Sequence, residues 1–205
     1  MACRIWIAVL MTASLLATTG CQLHPRPTDA GADTLPAPTP ALSFHISHMR
    51  IQMMPPADYL YASSHTSFDD ISAPASQTIP ALGKLVTSGT VQAAGPVLFV
   101  YHDPSENPSV PFDLEIGLPL RAAPASPIDG FTTRKLPAFR CATVIYRGPM
   151  KLLPKAYDKL IPEMIAAGLV PSNQTRESYL VWESPDSPNN VMEIEVGIDS
   201  GKRAK

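Results

Sequence analysis

Met54-Pro55-Pro56-Ala57 runs into the β-like stretch Tyr59 to Ser63, and Lys135-Leu136-Pro137-Ala138 runs into Cys141 to Tyr146 in the same way. The chain therefore repeats itself at an offset of roughly 80 residues, the mark of a fold assembled from two copies of one supersecondary unit. β-Branched and aromatic side chains fill both stretches, which favours strands. A helical stretch follows in each half. In the second, Leu152, Leu153, Ala156, Tyr157, Leu160, Ile161, Met164 and Ile165 draw one apolar stripe at the 3.6 period. Pro154 suits the first turn, Gly168 suits the position just past the end, and Pro162 should bend the helix or free one hydrogen bond. The first-half helix has Ile71, Ala75, Ile79, Leu82 and Val86 as its stripe and Gly89 as its stop.

Each half then closes with a hairpin: Val97 to Tyr101 with Phe112 to Leu120, and Tyr179 to Trp182 with Val191 to Ile198. The intervening loops carry Pro, Ser, Asn and Asp, which build turns rather than ladders. The unit is strand, helix, strand, strand. The expected class is α+β, with two pseudo-symmetric modules, about 44–120 and 130–200, around a central cleft. His45 to Met54 reads as one leading strand whose methionines fill core.

The 40 residues before this domain have a different character. Arg4 followed by the uncharged, mostly apolar Ile5 to Ala17 reads as an export signal over residues 1–20, with an apolar run too short to span a bilayer. Leu16-Ala17-Thr18-Thr19-Gly20-Cys21 resembles the lipobox of bacterial lipoproteins, with Thr18 where an aliphatic residue is usual. Cys21 is then either the acylated first residue of the mature chain or a free thiol left by ordinary cleavage. Residues 21–41 hold Pro25, Pro27, Pro36, Pro38 and Pro40 without hydrophobic period and read as a tether. Fully extended in polyproline geometry it reaches roughly 60 Å. The expected location is the periplasmic side of a bacterial envelope, with the membrane as one partner through the lipid. Cys141 is the single cysteine left for the folded domain, so no disulfide can form inside it.

The second half resembles the GyrI-like, or bacterial effector-binding, domain found in multidrug-responsive transcription regulators and as a solitary protein. Ala142-Thr143-Val144-Ile145-Tyr146-Arg147-Gly148-Pro149 is similar to its strand and Gly-Pro turn, and Ala156-Tyr157-Asp158-Lys159-Leu160 to its helix. Arg176-Glu177-Ser178-Tyr179-Leu180 is similar to its hairpin entry and Glu193-Ile194-Glu195-Val196 to its last strand. The resemblance covers roughly residues 45–199. It implies two such modules around a cleft that takes flat, apolar and often cationic molecules. By the same resemblance Glu193 is the cleft acid, and the catalytic group if the chain is one of the family's ring-opening hydrolases.

Strand alternation sets Asp113 and Glu115, and again Glu193 and Glu195, on the face opposite the apolar residues. Glu115 is the internal counterpart of Glu193. If the apolar faces pack on helices, these acids face away from the helices, either into a cleft or into solvent. A carboxylate in an apolar cleft pairs with a cation or takes up a proton. Tyr59, Tyr61, Phe99, Tyr101, Tyr146, Tyr179 and Trp182 could supply flat walls, by stacking and cation–π attraction. Tyr179 and Trp182 have opposite parity and need a bulge to share a face.

A net charge of −2 with no basic stripe argues against nucleic acid as a partner. His45, His48, Met49, Met53 and Met54 lack fixed ligand spacing, and no pattern asks for a metal or cofactor. The reading that results is an envelope-anchored module capturing a small amphipathic, aromatic or cationic molecule. A hydrolase using a cleft glutamate, or a noncatalytic protein-interaction domain, are the alternatives.

Overall fold

Residues 43–199 are described in the computed structural model; the leader, Cys21 and the tether lie outside the described residues. The elements are β1 (His45–Ile46), β2 (Arg50–Met54), β3 (Ala57–Thr66), α1 (Ser72–Thr87), β4 (Leu98–His102), β5 (Phe112–Leu120), β6 (Thr132–Leu136), β7 (Phe139–Arg147), α2 (Pro154–Ala166), β8 (Pro171–Val181) and β9 (Val191–Ile198). All strands join one antiparallel sheet in the order β1-β7-β9-β8-β4-β5-β3-β6, with β2 also on β7. The α+β class and the two strand-helix-strand-strand units, β3-α1-β4-β5 and β7-α2-β8-β9, are as the repeat requires.

Register shows how closely the halves correspond. Leu60↔Leu118 in β3–β5 answers Ala142↔Val196 in β7–β9, and Leu98↔Gly117 in β4–β5 answers Arg176↔Glu195 in β8–β9. β4 and β8 pair with each other at the seam. Exchanging the halves there turns Leu98↔Ser178 into Arg176↔Val100 and leaves Phe99↔Glu177 where it is. Gly89 and Gly168, each just past its helix, both have φ of +75°, the left-handed geometry that ends a helix without a Cβ clash. Both helices keep an interior proline, Pro80 and Pro162. Each frees the carbonyl four residues back, on an exposed face where water can take it.

The helices lie on one face of the sheet. Ala156, Leu160 and Met164 of α2, one turn apart, pack on Ala142, Val144 and Tyr146 of β7 and Met192, Ile194 and Val196 of β9. Leu82 of α1 packs on Leu60, Phe99, Leu114, Ile116 and Leu118. The described residues form one compact unit with these cores inside it. Among the described residues no helix is long and apolar enough to cross a membrane.

The other face is not left open. β2 pairs with β7 and β6 with β3 in one continuous register, Met54↔Phe139 on one side of the chain bend and Ala57↔Leu136 on the other. Each half's leading strand thus crosses to the opposite module, and the sheet curls over its helix-free face. Tyr59, Leu98, Val100 and Leu136 form a third core there. Volumes interlock across the repeat: the Tyr59 ring covers Gly117, where a Cβ would collide with the ring and with the Leu60 carbonyl, whereas the second half has small Cys141 and large Glu195 at the matching positions.

Three details depart from the pattern expected of the sequence. His45 to Met54 is two strands, interrupted where the Ser47 N–H and hydroxyl bond the backbone of Ile145. β6 was not expected as a strand. β8 begins at Pro171 rather than Tyr179, because charged or polar residues fall on both faces of Ser172 to Ser178 and erase the alternation.

Candidate functional site

The most unusual group on the helix face is a carboxylate. Glu177, at the seam between the halves, is 3% exposed. Three phenols donate to it: Tyr157 from α2 to Oε1 at 2.6 Å, and Tyr101 from β4 and Tyr179 from β8 to Oε2 at 2.7 and 3.1 Å. Among the described residues no Lys, Arg or His lies within ion-pair distance of it. Burial pushes the Glu177 carboxyl above its usual range, against the opposing pull of the three hydroxyls, and burial with the neighbouring carboxylate pushes all three phenols well up.

Aromatic rings complete the surroundings. Phe99, the cross-strand partner of Glu177, packs 4.7 Å from Tyr179 and 6.2 Å from Tyr101, and Phe68 lies 5.9 Å from Tyr101. Trp182 meets Tyr179 edge to face at 5.9 Å. The β8–β9 register shifts between Tyr179 and Val181, which is the irregularity those two rings needed to meet. Trp182 is half exposed and forms the lip of this cluster.

The acids singled out from the sequence lie on the other side of the sheet. Glu115 accepts from Arg134 Nη2 at 2.7 Å and lies 3.3 Å from His102 Nε2. Its counterpart Glu193 has the Gln52 amide at 3.5 Å, and Gln52 stands where the first half has Arg134. Glu195 is fully buried beside Arg176, whose guanidinium lies 3.9 Å over the Phe139 ring rather than on the carboxylate. Burial, then Glu193, push the Glu195 carboxyl up to about 7, with Arg176 pulling the other way.

Tyr61 stacks on Tyr59 with centroids 5.3 Å apart, under Arg134. Tyr146 is core against α2, its hydroxyl donating to the Pro149 carbonyl at 2.7 Å. Phe99, Tyr179 and Trp182 are thus brought together around Glu177, while Glu193, Glu115, Tyr61 and Tyr146 are elsewhere. Tyr61 and Glu115 instead border an open depression of about 520 Å³ shared with Ser63, His65, His102 and Asp113. That depression is polar and lies on the opposite face from Glu177, and its two carboxylates already have basic partners.

Sequence reasoning passed over Glu177 as a site residue. One signal was present: Glu177 and Tyr179 share parity on β8, so an acid lies on the same strand face as an aromatic that should be core.

No protein-family model matches the sequence, and no curated protein matches it. Solved structures share the fold. The EcmrR C-terminal domain superposes with a TM-score of 0.62 at 21% identity, over 74% of this chain and 97% of that one. The EcmrR chain of an EcmrR–DNA complex gives 0.61 at 22%, and this chain, matched over 76% of its length, spans 57% of that one. SAV2435, solved bound to tetraphenylphosphonium, gives 0.54 at 11%, over 75% and 95%. The fold is therefore GyrI-like, as the sequence motifs imply.

Proposed function

We propose that this protein binds a small, aromatic, lipophilic cation at Glu177, and that it does so on the periplasmic side of a bacterial membrane, tethered through acylated Cys21. The observation that carries the proposal is one buried carboxylate among aromatic rings with no basic partner among the described residues. Stripping a carboxylate of water costs several kcal/mol unless something compensates it. Three phenol hydrogen bonds do so only in part, since they leave the negative charge without a counterion. A cation lying against Phe99, Tyr179 and Trp182 supplies the missing charge and gains cation–π attraction of about 0.5–2 kcal/mol per well-placed ring. The tetraphenylphosphonium held by SAV2435, a protein of the same fold, is a molecule of that class.

This reading moves the acidic partner from Glu193 to Glu177. Glu193 has a neutral amide beside it and no cluster of rings. Noncatalytic capture is favoured over hydrolysis because both Glu177 oxygens already accept phenol hydrogen bonds, which leaves poor geometry for directing a water. The test is mass spectrometry of small molecules that copurify with the protein, with Glu177→Gln as comparison. Organic cations retained by wild type and lost in Glu177→Gln support the proposal. The same compounds retained by both proteins would refute it.

A further inference from the structure

Leu180, Val181 and Trp182 are consecutive, and each is nearly half exposed, at 46%, 45% and 49%. They end β8 and begin the loop to β9, so three exposed apolar side chains lie on one hairpin. Scattered exposed apolar residues need no explanation, but a contiguous run on a hairpin tip does.

Two features of the fold indicate what covers them. The first is where the chain enters the domain. β1 pairs His45 with Arg147 at the end of β7, and Arg147 pairs with Val191 at the start of β9, opposite Val181 at the end of β8. The entering chain and the apolar tip thus lie at one end of the sheet, three strands apart, or roughly 14 Å. Just upstream of that entry stand the proline-rich stretch and Cys21. A lipid on Cys21 brings this end of the domain within reach of the bilayer. The second feature is continuity: Trp182 packs on Tyr179, and Tyr179 donates to Glu177. A chain of direct contacts therefore links the tip to the buried carboxylate.

We infer that the Leu180–Trp182 tip inserts into the headgroup region of a membrane, so that the protein takes its lipophilic cation from the bilayer rather than from water. Tryptophan is the side chain best suited to that depth, with an apolar body and one N–H donor. The surrounding charge favours an apolar contact over an electrostatic one. Glu183 turns back to Ser187 and Asn189, and Asp186 lies 3.8 Å from Lys151, so the loop offers no cationic patch for anionic lipid. The inference rests on the ligand and anchoring readings above, and its test separates them.

Residues 22–205 contain one tryptophan, Trp182, which makes the tip its own reporter. That chain, without lipid, is mixed with phosphatidylcholine vesicles whose acyl chains are brominated. The expected result is a shift of emission to shorter wavelength, quenching by bromine, and little change on adding 0.5 M salt or 30% phosphatidylglycerol. A Leu180→Gln/Val181→Gln double variant should partition at least fivefold more weakly while binding tetraphenylphosphonium in vesicle-free buffer as wild type does. No quenching of wild type, or equal partition of the double variant, overturns the inference. So does a concentration-dependent dimer that buries Trp182 without vesicles, since the covering partner is then a second copy. A wild-type chain that binds tetraphenylphosphonium but not vesicles defeats this inference alone. Vesicle binding without tetraphenylphosphonium binding defeats the ligand reading instead, and a full-length chain that takes up no lipid at Cys21 defeats the anchoring reading.

Discussion

Phe99 and Glu177 face each other across the β4–β8 ladder at the one position that exchanging the two halves leaves in place. Strict repetition would set two phenyl rings or two carboxylates there. Two buried carboxylates at cross-strand distance could not both ionise, and two rings would offer no charge. The divergence of the halves at this pair gives one wall and one charge, with Tyr101 and Tyr179 as matched donors on either side. The two halves therefore differ where a ligand on the seam would touch both modules.

Tyr157 ties α2 to the seam through its bond to Glu177. Tyr157→Phe should lower stability by about 1–3 kcal/mol, the scale of a buried hydrogen bond to a charged group. The loss should be greater at a pH above the raised pKa of Glu177 than at a pH below it, because a phenol supports a carboxylate more than a neutral acid. Tyr146→Phe removes a bond to a neutral carbonyl and should give a loss that does not change with pH. Thermal melts of both variants at the two pH values check this.

Glu195 sets a pH dependence of its own. Its folded-state pKa of about 7 lies above the ordinary value of 4.5, so the folded state holds the proton where the unfolded state has released it. Stability therefore falls as pH rises from about 4.5 to 7 and is flat above, with a span on the order of 3 kcal/mol. Glu195→Gln should leave stability near pH 4.5 almost unchanged and raise it above pH 7. Denaturant titrations at pH 5 and pH 8 measure the difference, and a variant destabilised at pH 8 would show that the attraction of Arg176 outweighs burial.

Acylation of Cys21 is expected to appear as incorporation of labelled palmitate into the wild-type chain and none into Cys21→Ser. Equal labelling of both, or labelling of neither, would remove the lipid anchor from the account.

Much of the fold could be read from the repeat. The stripe through Ala156, Leu160 and Met164 and the glycine stops at 89 and 168 are local signals, and local signals fix local structure. The crossing of β2 and β6 to opposite modules is not local. Gln52 and Arg134 hold matching places in the two halves, but nothing in either stretch says that its partner strand belongs to the other half. That crossing buries part of the helix-free face, where the alternation of Glu115, Glu193 and Glu195 had suggested a cleft. Glu177 was masked for a related reason: Arg176, Glu177 and Ser178 read as a polar run, although Glu177 turns to the helices and Arg176 to the inner face. Phe99, Tyr179 and Trp182 lie near Glu177 because all belong to the strands at the seam or to the loop that follows them.

The central claim is that Glu177 is the ligand's counter-charge, and calorimetric titration of tetraphenylphosphonium into wild type, Glu177→Gln and Glu193→Gln tests it most directly. The account predicts binding by wild type, a loss of about 1–3 kcal/mol in Glu177→Gln, and an affinity for Glu193→Gln within about 0.5 kcal/mol of wild type. Equal affinity of wild type and Glu177→Gln, or loss of binding in Glu193→Gln alone, would contradict it.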